Sequence, residues 1–292
     1  MEKQGRLKFV ECPRDAMQGM PAFVPTALKI EYLNQLLRVG FDTLDFGSFV
    51  SPQAIPQMRD TKEVVQHLQL QEGTDLLAIV ANLKGVQDAC SFEQIRFMGY
   101  PFSISETFQL RNTNSTIEKS FELVKRMQNM ANDSEKEIVI YLSMAFGNPY
   151  GDEWNADKIA LWMDRLASLG IHKFALSDTI GVSTPESIRY LFGFVLPRFP
   201  ALEIGAHFHS LPDKWEEKLE AAYHAGCRRF DGALKAYGGC PMAKDELVGN
   251  MPMEKMLLHL KNKALMPDIH WEELQKALLI CERVFSQAKL KH

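Results

Sequence analysis

Short apolar runs alternate along this chain with longer stretches whose apolar residues recur at helical spacing. The runs are short enough for single β-strands, whereas the stretches repeat apolar positions about every 3.6 residues, as Ile117, Phe121 and Val124 do. The pattern predicts strands at residues 7–12, 43–47, 76–81, 94–101, 137–145, 173–177, 203–207 and 229–234. It predicts helices at residues 26–39, 115–130, 155–169, 185–196 and 213–225, followed by 252–264 and 269–288.

Eight strands that alternate with helices predict the α/β class and, within it, a (β/α)8 TIM barrel. Residues 251–292 are interpreted as additional C-terminal helices that close a single domain of residues 1–292. The alternative is a doubly wound open sheet, which would normally carry a glycine-rich phosphate-binding turn after strand one. The residues there, Cys12-Pro13-Arg14-Asp15, do not resemble such a turn. The unit at residues 82–93 is short for a full helix and is the least regular part of the pattern.

Local signals mark several helix ends. Thr26 and Ser115 are predicted N-caps, and Ser115 with Glu118 has the spacing of a capping box. Three predicted helices are each followed by a glycine, the residue that most readily takes the positive φ of a helix C-terminus. These glycines are Gly40, Gly170 and Gly226.

Composition excludes several classes of protein. The net charge of −4, with both signs interspersed, gives no electrostatic basis for nucleic-acid binding. No run approaches the ~20 apolar residues of a membrane span, and the polar start at residues 1–6 has no apolar signal-peptide region. The five cysteines form no Cys-x-x-Cys pair, which is usual for a reducing compartment. We therefore expect a cytoplasmic protein with no nucleic-acid partner and no membrane partner.

His207-Phe208-His209 is the most informative stretch for chemistry. Side chains at i and i+2 of a strand point the same way, so two imidazoles leave one face together, as two nitrogen ligands of a divalent metal would. Asp15, after strand one, would add a carboxylate, and this mixed set suits Mg²⁺, Mn²⁺, Co²⁺ or Zn²⁺. The structural alternatives are ordinary hydrogen bonds for the histidines and a helix cap or loop acid for Asp15. The other six histidines have no such spacing and are interpreted as structural.

Further candidates follow from the barrel prediction, because catalytic groups of TIM barrels lie at the carboxyl ends of strands. Arg14 could offer a positive fork to an oxyanion or form a salt bridge at the barrel rim. Asp45, Tyr141 and Asp178 are candidates too, with barrel packing and turn capping as the structural alternatives for Tyr141 and Asp178. Cys240 follows two glycines in a turn, where a thiol can donate or accept a proton.

Several short motifs are distributed over nearly the whole chain. They are Cys12-Pro13-Arg14-Asp15, Ser48-Phe49-Val50-Ser51-Pro52, Pro56-Gln57-Met58, Ser105-Glu106-Thr107-Phe108, Gly147-Asn148-Pro149-Tyr150, Ser177-Asp178-Thr179-Ile180-Gly181, His207-x-His209 and Gly238-Gly239-Cys240-Pro241. Together they resemble the 3-hydroxy-3-methylglutaryl-CoA lyase family, which belongs to the metal-dependent TIM barrels with an Arg-Asp pair on strand one. The second and third motifs are the most specific to the lyases.

The resemblance implies a metal-dependent active site. It implies a divalent metal, Mg²⁺ or Mn²⁺ with Co²⁺ and Zn²⁺ as alternatives, held by Asp15, His207, His209 and Asn250. The catalytic residues that it implies are Arg14, which steadies the enolate of acetyl-CoA, and Cys240, Asp45, His207, Tyr141 and Asp178. Substrate contacts are expected from Gln18, Ser48, Ser105 and Thr179.

Four positions depart from the usual family pattern. The lyases usually have Glu at Asp45, Gly at Ala16, and Asp at Ser210 after the second metal histidine. The stretch from residue 240 to residue 250 is also one residue longer than usual. The metal and thiol residues are kept while their surroundings differ.

The leading hypothesis is metal-dependent cleavage of 3-hydroxy-3-methylglutaryl-CoA, or a close 3-hydroxyacyl-CoA, to acetoacetate and acetyl-CoA. The alternative is a Claisen-type acyltransferase similar to isopropylmalate or citramalate synthase. Such enzymes usually carry a C-terminal regulatory domain, and only residues 251–292 follow the barrel here. A barrel kept as a binding scaffold would have lost the ligand set, which is intact. The expected partners are an acyl-CoA substrate and a second copy of the chain in a homodimer.

Overall fold

Parallel strands close into a barrel in the computed structural model, which describes residues 5–238, 248–265 and 268–286. The strands are β1 (Lys8–Glu11), β2 (Thr43–Ser48), β3 (Asp75–Ile79), β4 (Ile95–Ser103), β5 (Glu137–Ser143), β6 (Lys173–Asp178), β7 (Glu203–Ser210) and β8 (Arg229–Gly232). Each of the eight strands pairs with the strands before and after it in the chain, and β8 pairs with β1, which closes the ring. This closure confirms the predicted TIM barrel. A short strand β9 (Gly249–Asn250) runs antiparallel to β7 and sets Asn250 opposite His209.

Helices fill the connections between the strands. They are α1 (Pro13–Gln18), α2 (Thr26–Leu37), α3 (Thr61–Gln66), α4 (Leu83–Cys90), α5 (Glu106–Thr113), α6 (Ile117–Asp133), α7 (Ala156–Ala167), α8 (Pro185–Arg198), α9 (Trp215–His224), α10 (Met253–Asn262) and α11 (Trp271–Ser286). The irregular unit after β3 does form a helix, α4, because the Asn82 side chain caps it by accepting from the Gly85 N–H at 2.9 Å. The short helices α1, α3 and α5 were not predicted, since six to eight residues give little periodicity.

The predicted helix caps are partly wrong. Thr26 is the first residue of α2 and not its cap, because its hydroxyl donates to Asp60 at 2.8 Å. The cap of α6 is Thr116 and not Ser115, since Thr116 accepts from the Lys119 N–H at 3.2 Å. The predictions for the glycines after three helices agree better with the structure. Gly40, Gly170 and Gly226 have the expected positive φ values, of 90°, 89° and 103°.

The hydrophobic core has two parts. The larger part lies between the outer faces of the strands and the helices. The smaller part fills the barrel with the side chains of Leu77, Ile79, Phe97, Val139, Tyr141 and Ala175. Gly99 makes room for this filling, because a Cβ atom there would lie 2.6 Å from Ile79 and 2.9 Å from Tyr141. These side chains therefore pack the barrel interior below the carboxyl ends of the strands.

The C-terminal helices share the outer core. Leu274 and Cys281 of α11 are buried in the same cluster as the helices around the barrel, and α11 packs mainly on α2. The Phe285 ring stacks on Tyr237 with 3.9 Å between centroids. We propose on these contacts that α10 and α11 belong to the same folding unit as the barrel.

Among the described residues no helix is both long enough and apolar enough to cross a membrane.

Truncation of Leu274 to alanine tests the single folding unit. Leu274 is 1% exposed, so Leu274→Ala should lower the free energy of unfolding of the whole chain by about 2–5 kcal/mol. Urea unfolding followed by circular dichroism should show one transition that shifts as a whole. Leu279→Ala, on the same helix but 66% exposed, is the matched control and should change stability by less than about 0.5 kcal/mol. A separate early transition that alone responds to Leu274→Ala would contradict the single unit.

Candidate active site

The first strand delivers two charged side chains to the mouth of the barrel. β1 ends at Glu11, and Pro13 begins α1 immediately, at a position where its missing N–H costs nothing. This turn places Arg14 and Asp15 over the carboxyl end of the barrel, where they are 6% and 7% exposed. Gly238 lets the other side of the mouth approach α1, because its φ is 90° and a Cβ there would lie 2.7 Å from Ala16.

The Arg14 guanidinium is held by acceptors on three residues. Its Nε atom lies 3.2 and 3.1 Å from the two oxygens of Asp45, and its Nη2 atom lies 2.5 Å from Asp45 Oδ2. Its Nη1 atom donates to Asp15 at 3.1 Å and to Gln18 at 3.0 Å. Gln18 in turn donates to Asp15 at 2.6 Å. The guanidinium plane is therefore fixed before any substrate binds.

The two carboxyl groups beside Arg14 differ in pKa. Burial raises the pKa of Asp45 to about 6, against the attraction of Arg14. Burial also raises the pKa of Asp15, but Arg14 and the two histidines lower it more, so it lies below its ordinary value. Asp15 therefore stays ionised to lower pH than Asp45 does, which suits it to bind a cation.

The two predicted histidines lie together at the end of β7. The His209 Nδ1 atom is 2.9 Å from the carbonyl oxygen of Thr179, and the His207 Nδ1 atom is 3.2 Å from Asp231 Oδ2. The His209 Nε2 atom is buried and has no hydrogen-bond partner among the described residues, and it lies 3.9 Å from Asp15 Oδ2. Burial lowers the pKa of His209, which favours the neutral imidazole that a metal needs.

These residues fit a divalent metal. Ligand atoms of Asp15, His207 and His209 all lie within 4.8 Å of one another, and the donor set has one oxygen and two nitrogens. The unpartnered Nε2 atom of His209 is the kind of buried polar atom that bound metal satisfies. Asn250, the fourth implied ligand, donates from Nδ2 to Asp15 at 2.7 Å and to the Tyr237 carbonyl at 2.9 Å. Its contact with Asp15 places it at the metal site, and its role as a ligand stays a prediction.

A cavity of about 380 Å³ lies beside this group and is lined by both polar and apolar side chains. The polar lining residues are Arg14, Asp15, Gln18, Asn112, Thr113, Ser143, Ser177, Thr179, His207 and His209. The others are Val50, Ala54, Ile55, Ile79, Ala81, Pro101, Phe108 and Tyr141. The buried Tyr141 hydroxyl has no hydrogen-bond partner among the described residues, so it can meet a polar group of a bound molecule.

Three of the expected site residues are not part of the lining of this cavity. Asp178 accepts hydrogen bonds from Ser183 at 2.6 Å and from buried Lys218 at 2.7 Å, which is the turn-capping alternative. Ser105 caps α5 and donates to Asp152 at 2.5 Å. Ser48 accepts from the Val50 N–H at 3.2 Å. Their direct catalytic or substrate contacts stay predictions that this geometry does not support.

Asp45 and Cys240 are two further residues expected at the site. Asp45 is 0% exposed and reaches the cavity only through Arg14. Cys240 lies outside the described residues, so its place relative to the site is not part of the geometry above.

Sequence reasoning missed Asp231, which contacts His207 from β8. A signal was present, because Arg229 and Asp231 are charged at i and i+2 in an otherwise apolar strand, and such residues share one face. The sequence does not reveal that Asp231 lies beside His207, since that depends on the register of β7 against β8.

Removal of the unpartnered imidazole tests the metal site. His209→Ala should weaken Mn²⁺ binding by about 100-fold or more, because loss of a ligand exceeds the effect typical of an outer partner. Titration calorimetry on the chelator-treated protein measures this, and thermal unfolding checks the fold. His172→Ala is the control, since His172 is exposed just before β6 at the opposite end of the barrel. Equal Mn²⁺ affinity in His209→Ala and the parent would remove His209 from the ligand set.

The comparison with known families and sequences agrees with this geometry. The chain matches the HMGL-like family over residues 6–280. It is 31% identical over 268 residues to hydroxymethylglutaryl-CoA lyase YngG of Bacillus subtilis, covering 91% of this chain and 88% of the relative. It is 31% identical over 282 residues to the cytoplasmic 3-hydroxy-3-methylglutaryl-CoA lyase of Rattus norvegicus, covering 95% of this chain and 81% of that one.

The comparison with solved structures gives the same result for the fold. An HMG-CoA lyase from Acinetobacter baumannii, solved in complex with coenzyme A and 3-methylmalate, superposes with a TM-score of 0.91. The two sequences are 28% identical, and the match covers 98% of this chain and 93% of that one.

Proposed function

The chain belongs to the HMGL-like family, and from this premise we propose that it cleaves 3-hydroxy-3-methylglutaryl-CoA to acetoacetate and acetyl-CoA with the help of a divalent metal. The observation that carries the proposal is the group of Asp15, His207 and His209 in the lining of the cavity, next to the fixed guanidinium of Arg14. Relatives at about this level of identity are lyases, so the Claisen-type acyltransferase alternative is not favoured.

The donor atoms of the site limit which metal ions can bind there. Asp15, His207 and His209 would hold it, with Asn250 as the fourth residue, and Mg²⁺ or Mn²⁺ is proposed before Co²⁺ and Zn²⁺. A bound divalent ion would supply Lewis-acid polarisation of the substrate's 3-hydroxyl and carboxylate oxygens. Asp15 is suited to this place because its carboxylate stays ionised.

Arg14 stabilises the charge that the reaction develops. A base removes the proton of the 3-hydroxyl, C3 becomes the ketone of acetoacetate, and the electrons of the broken C2–C3 bond form the enolate of acetyl-CoA. The guanidinium lies beside Asp15 in a fixed plane, so it can stabilise the enolate oxygen without reorganising. A proton returns to C2 from an acid, for which Cys240 and His207 are proposed.

The apolar part of the cavity lining suits an acyl-CoA. Val50, Ile79 and Pro101 can cover the methyl group and the hydrocarbon part of the thioester arm. Tyr141 and Thr179 add hydroxyl groups to the lining. We propose an acyl-CoA as the substrate class on this mixed lining.

Two further assignments stay predictions: a homodimer and a cytoplasmic location.

A lyase assay tests the proposed function. The reduced full-length protein should release acetoacetate from 3-hydroxy-3-methylglutaryl-CoA when Mg²⁺ or Mn²⁺ is present, and a chelator should stop the reaction. Arg14→Lys should lose most activity, because an ammonium group cannot reproduce the forked contacts with Asp45 and Asp15. The proposal fails if folded, metal-bound protein produces no acetoacetate.

Replacement of Asp45 tests its support of Arg14. Asp45→Asn should lower kcat by about 100-fold, because the guanidinium loses its principal anion and small misplacements are costly, whereas Asp45→Glu should retain some activity. Since the pKa of Asp45 is about 6, the parent should lose kcat as pH falls through about 6 at saturating metal, when the carboxylate takes up a proton. Asp42→Asn, whose carboxylate accepts from the Phe9 N–H at the opposite end of the barrel, is the control. Parental kcat in Asp45→Asn would reduce Asp45 to barrel packing.

A further inference from the structure

His207 has a partner that the proposed chemistry does not use. Strands β7 and β8 are parallel, and their register sets His207 directly beside Asp231. Neighbours in register point to the same side of a sheet, here the barrel interior. The contact follows from this pairing, with 3.2 Å between His207 Nδ1 and Asp231 Oδ2, and Asp231 is 1% exposed.

Arg229 holds the other side of Asp231. It precedes Asp231 by two residues on β8, so both side chains lie inside the barrel. Its Nη2 atom is 3.3 Å from Asp231 Oδ1, which forms an ion pair without the alignment of a hydrogen bond. Arg229 also approaches Glu203 at 3.9 Å, toward the amino-terminal end of the barrel. Asp231 thus has a fixed cation on one side and the imidazole on the other.

The contact decides which nitrogen of His207 carries the proton. A carboxylate can only accept, so the proton lies on Nδ1 and the lone pair of Nε2 is left free. His209 has the same arrangement with a neutral acceptor, since its Nδ1 atom faces the Thr179 carbonyl at 2.9 Å. Both imidazoles therefore present Nε2 as the only nitrogen available to a metal.

We propose that Asp231 is a positioning residue, which fixes the tautomer and the ring orientation of His207 and is itself held by Arg229. This inference rests on the proposed metal role of His207. It assigns to β8 a function that none of the motifs of the chain indicates.

A second metal site is the competing explanation for the same residues. Ligand atoms of Cys12, His207 and Asp231 also lie within 4.8 Å of one another. Arg229 already supplies a positive charge at Asp231, however, and burial raises the pKa of the Cys12 thiol well above its usual value. Orientation of His207 is therefore favoured, and it predicts one metal ion per chain.

The test measures Mn²⁺ binding to the chelator-treated full-length protein by titration calorimetry. Asp231→Asn keeps the size of the side chain, and it should weaken Mn²⁺ binding by about 10- to 100-fold. Glu11→Gln is the matched control and should leave Mn²⁺ affinity unchanged. Glu11 is 0% exposed on the strand next to β8, and its carboxylate accepts from the Leu234 N–H at 2.9 Å instead of facing a histidine.

A second measurement does not depend on metal or on activity. Long-range ¹H–¹⁵N spectra of the metal-free parent should show the proton of His207 on Nδ1, with the signals assigned by their loss in His207→Ala. In Asp231→Asn part of the population should carry the proton on Nε2. If that variant does not fold, the spectrum of the parent decides alone.

Several results would overturn the inference. One is a His207 in the parent that carries its proton on Nε2. Another is equal Mn²⁺ affinity in Asp231→Asn and the parent, or a loss of affinity in Glu11→Gln as large as that in Asp231→Asn. The last is binding of two Mn²⁺ ions per chain, of which Asp231→Asn loses one. A parent that binds no Mn²⁺ would instead contradict the proposed metal-dependent function. The spectra would still test the contact between Asp231 and His207 in that case.

Discussion

The burial of the Arg14 guanidinium is the constraint on which the mouth of the barrel depends. A cation that is 6% exposed needs compensating anions, and Asp45 and Asp15 provide them from β2 and α1. Asp15 must therefore lie close to Arg14, and this position also sets it near His209. The contacts that neutralise the guanidinium thus place the carboxylate of the metal site.

A divalent cation would make the charges of the site suit an anionic reaction. Asp15, Asp45 and Asp231 face the two guanidinium groups of Arg14 and Arg229, which leaves one negative charge in excess among these five groups. A divalent cation would turn this excess into one positive charge. That charge would favour a substrate carboxylate and the enolate as it forms, and it would act at low dielectric because the groups are buried.

The sequence predicted the parts of this site that depend on position along a strand or at its end. Alternation of strands and helices predicted the barrel, and the barrel predicted that Asp15 and His209 would meet at one mouth. Strand periodicity also explains the position of Asp178: Ser177 and Thr179 line the cavity, so Asp178 between them points away and pairs with Lys218. The expectation of a site role for Asp178 followed the motif and not the alternation, and it stays a prediction.

What could not be predicted depends on pairing between strands. The contact of Asp231 with His207 requires the register of β7 against β8, which no local pattern of either strand contains. The register also makes the two histidines unequal. His209 donates to a neutral carbonyl, whereas His207 donates to a carboxylate, and a charged acceptor forms the stronger hydrogen bond. Of the two imidazoles, His207 is therefore the one whose orientation depends on an ionised partner, and loss of that partner should affect the metal site through the ring of His207.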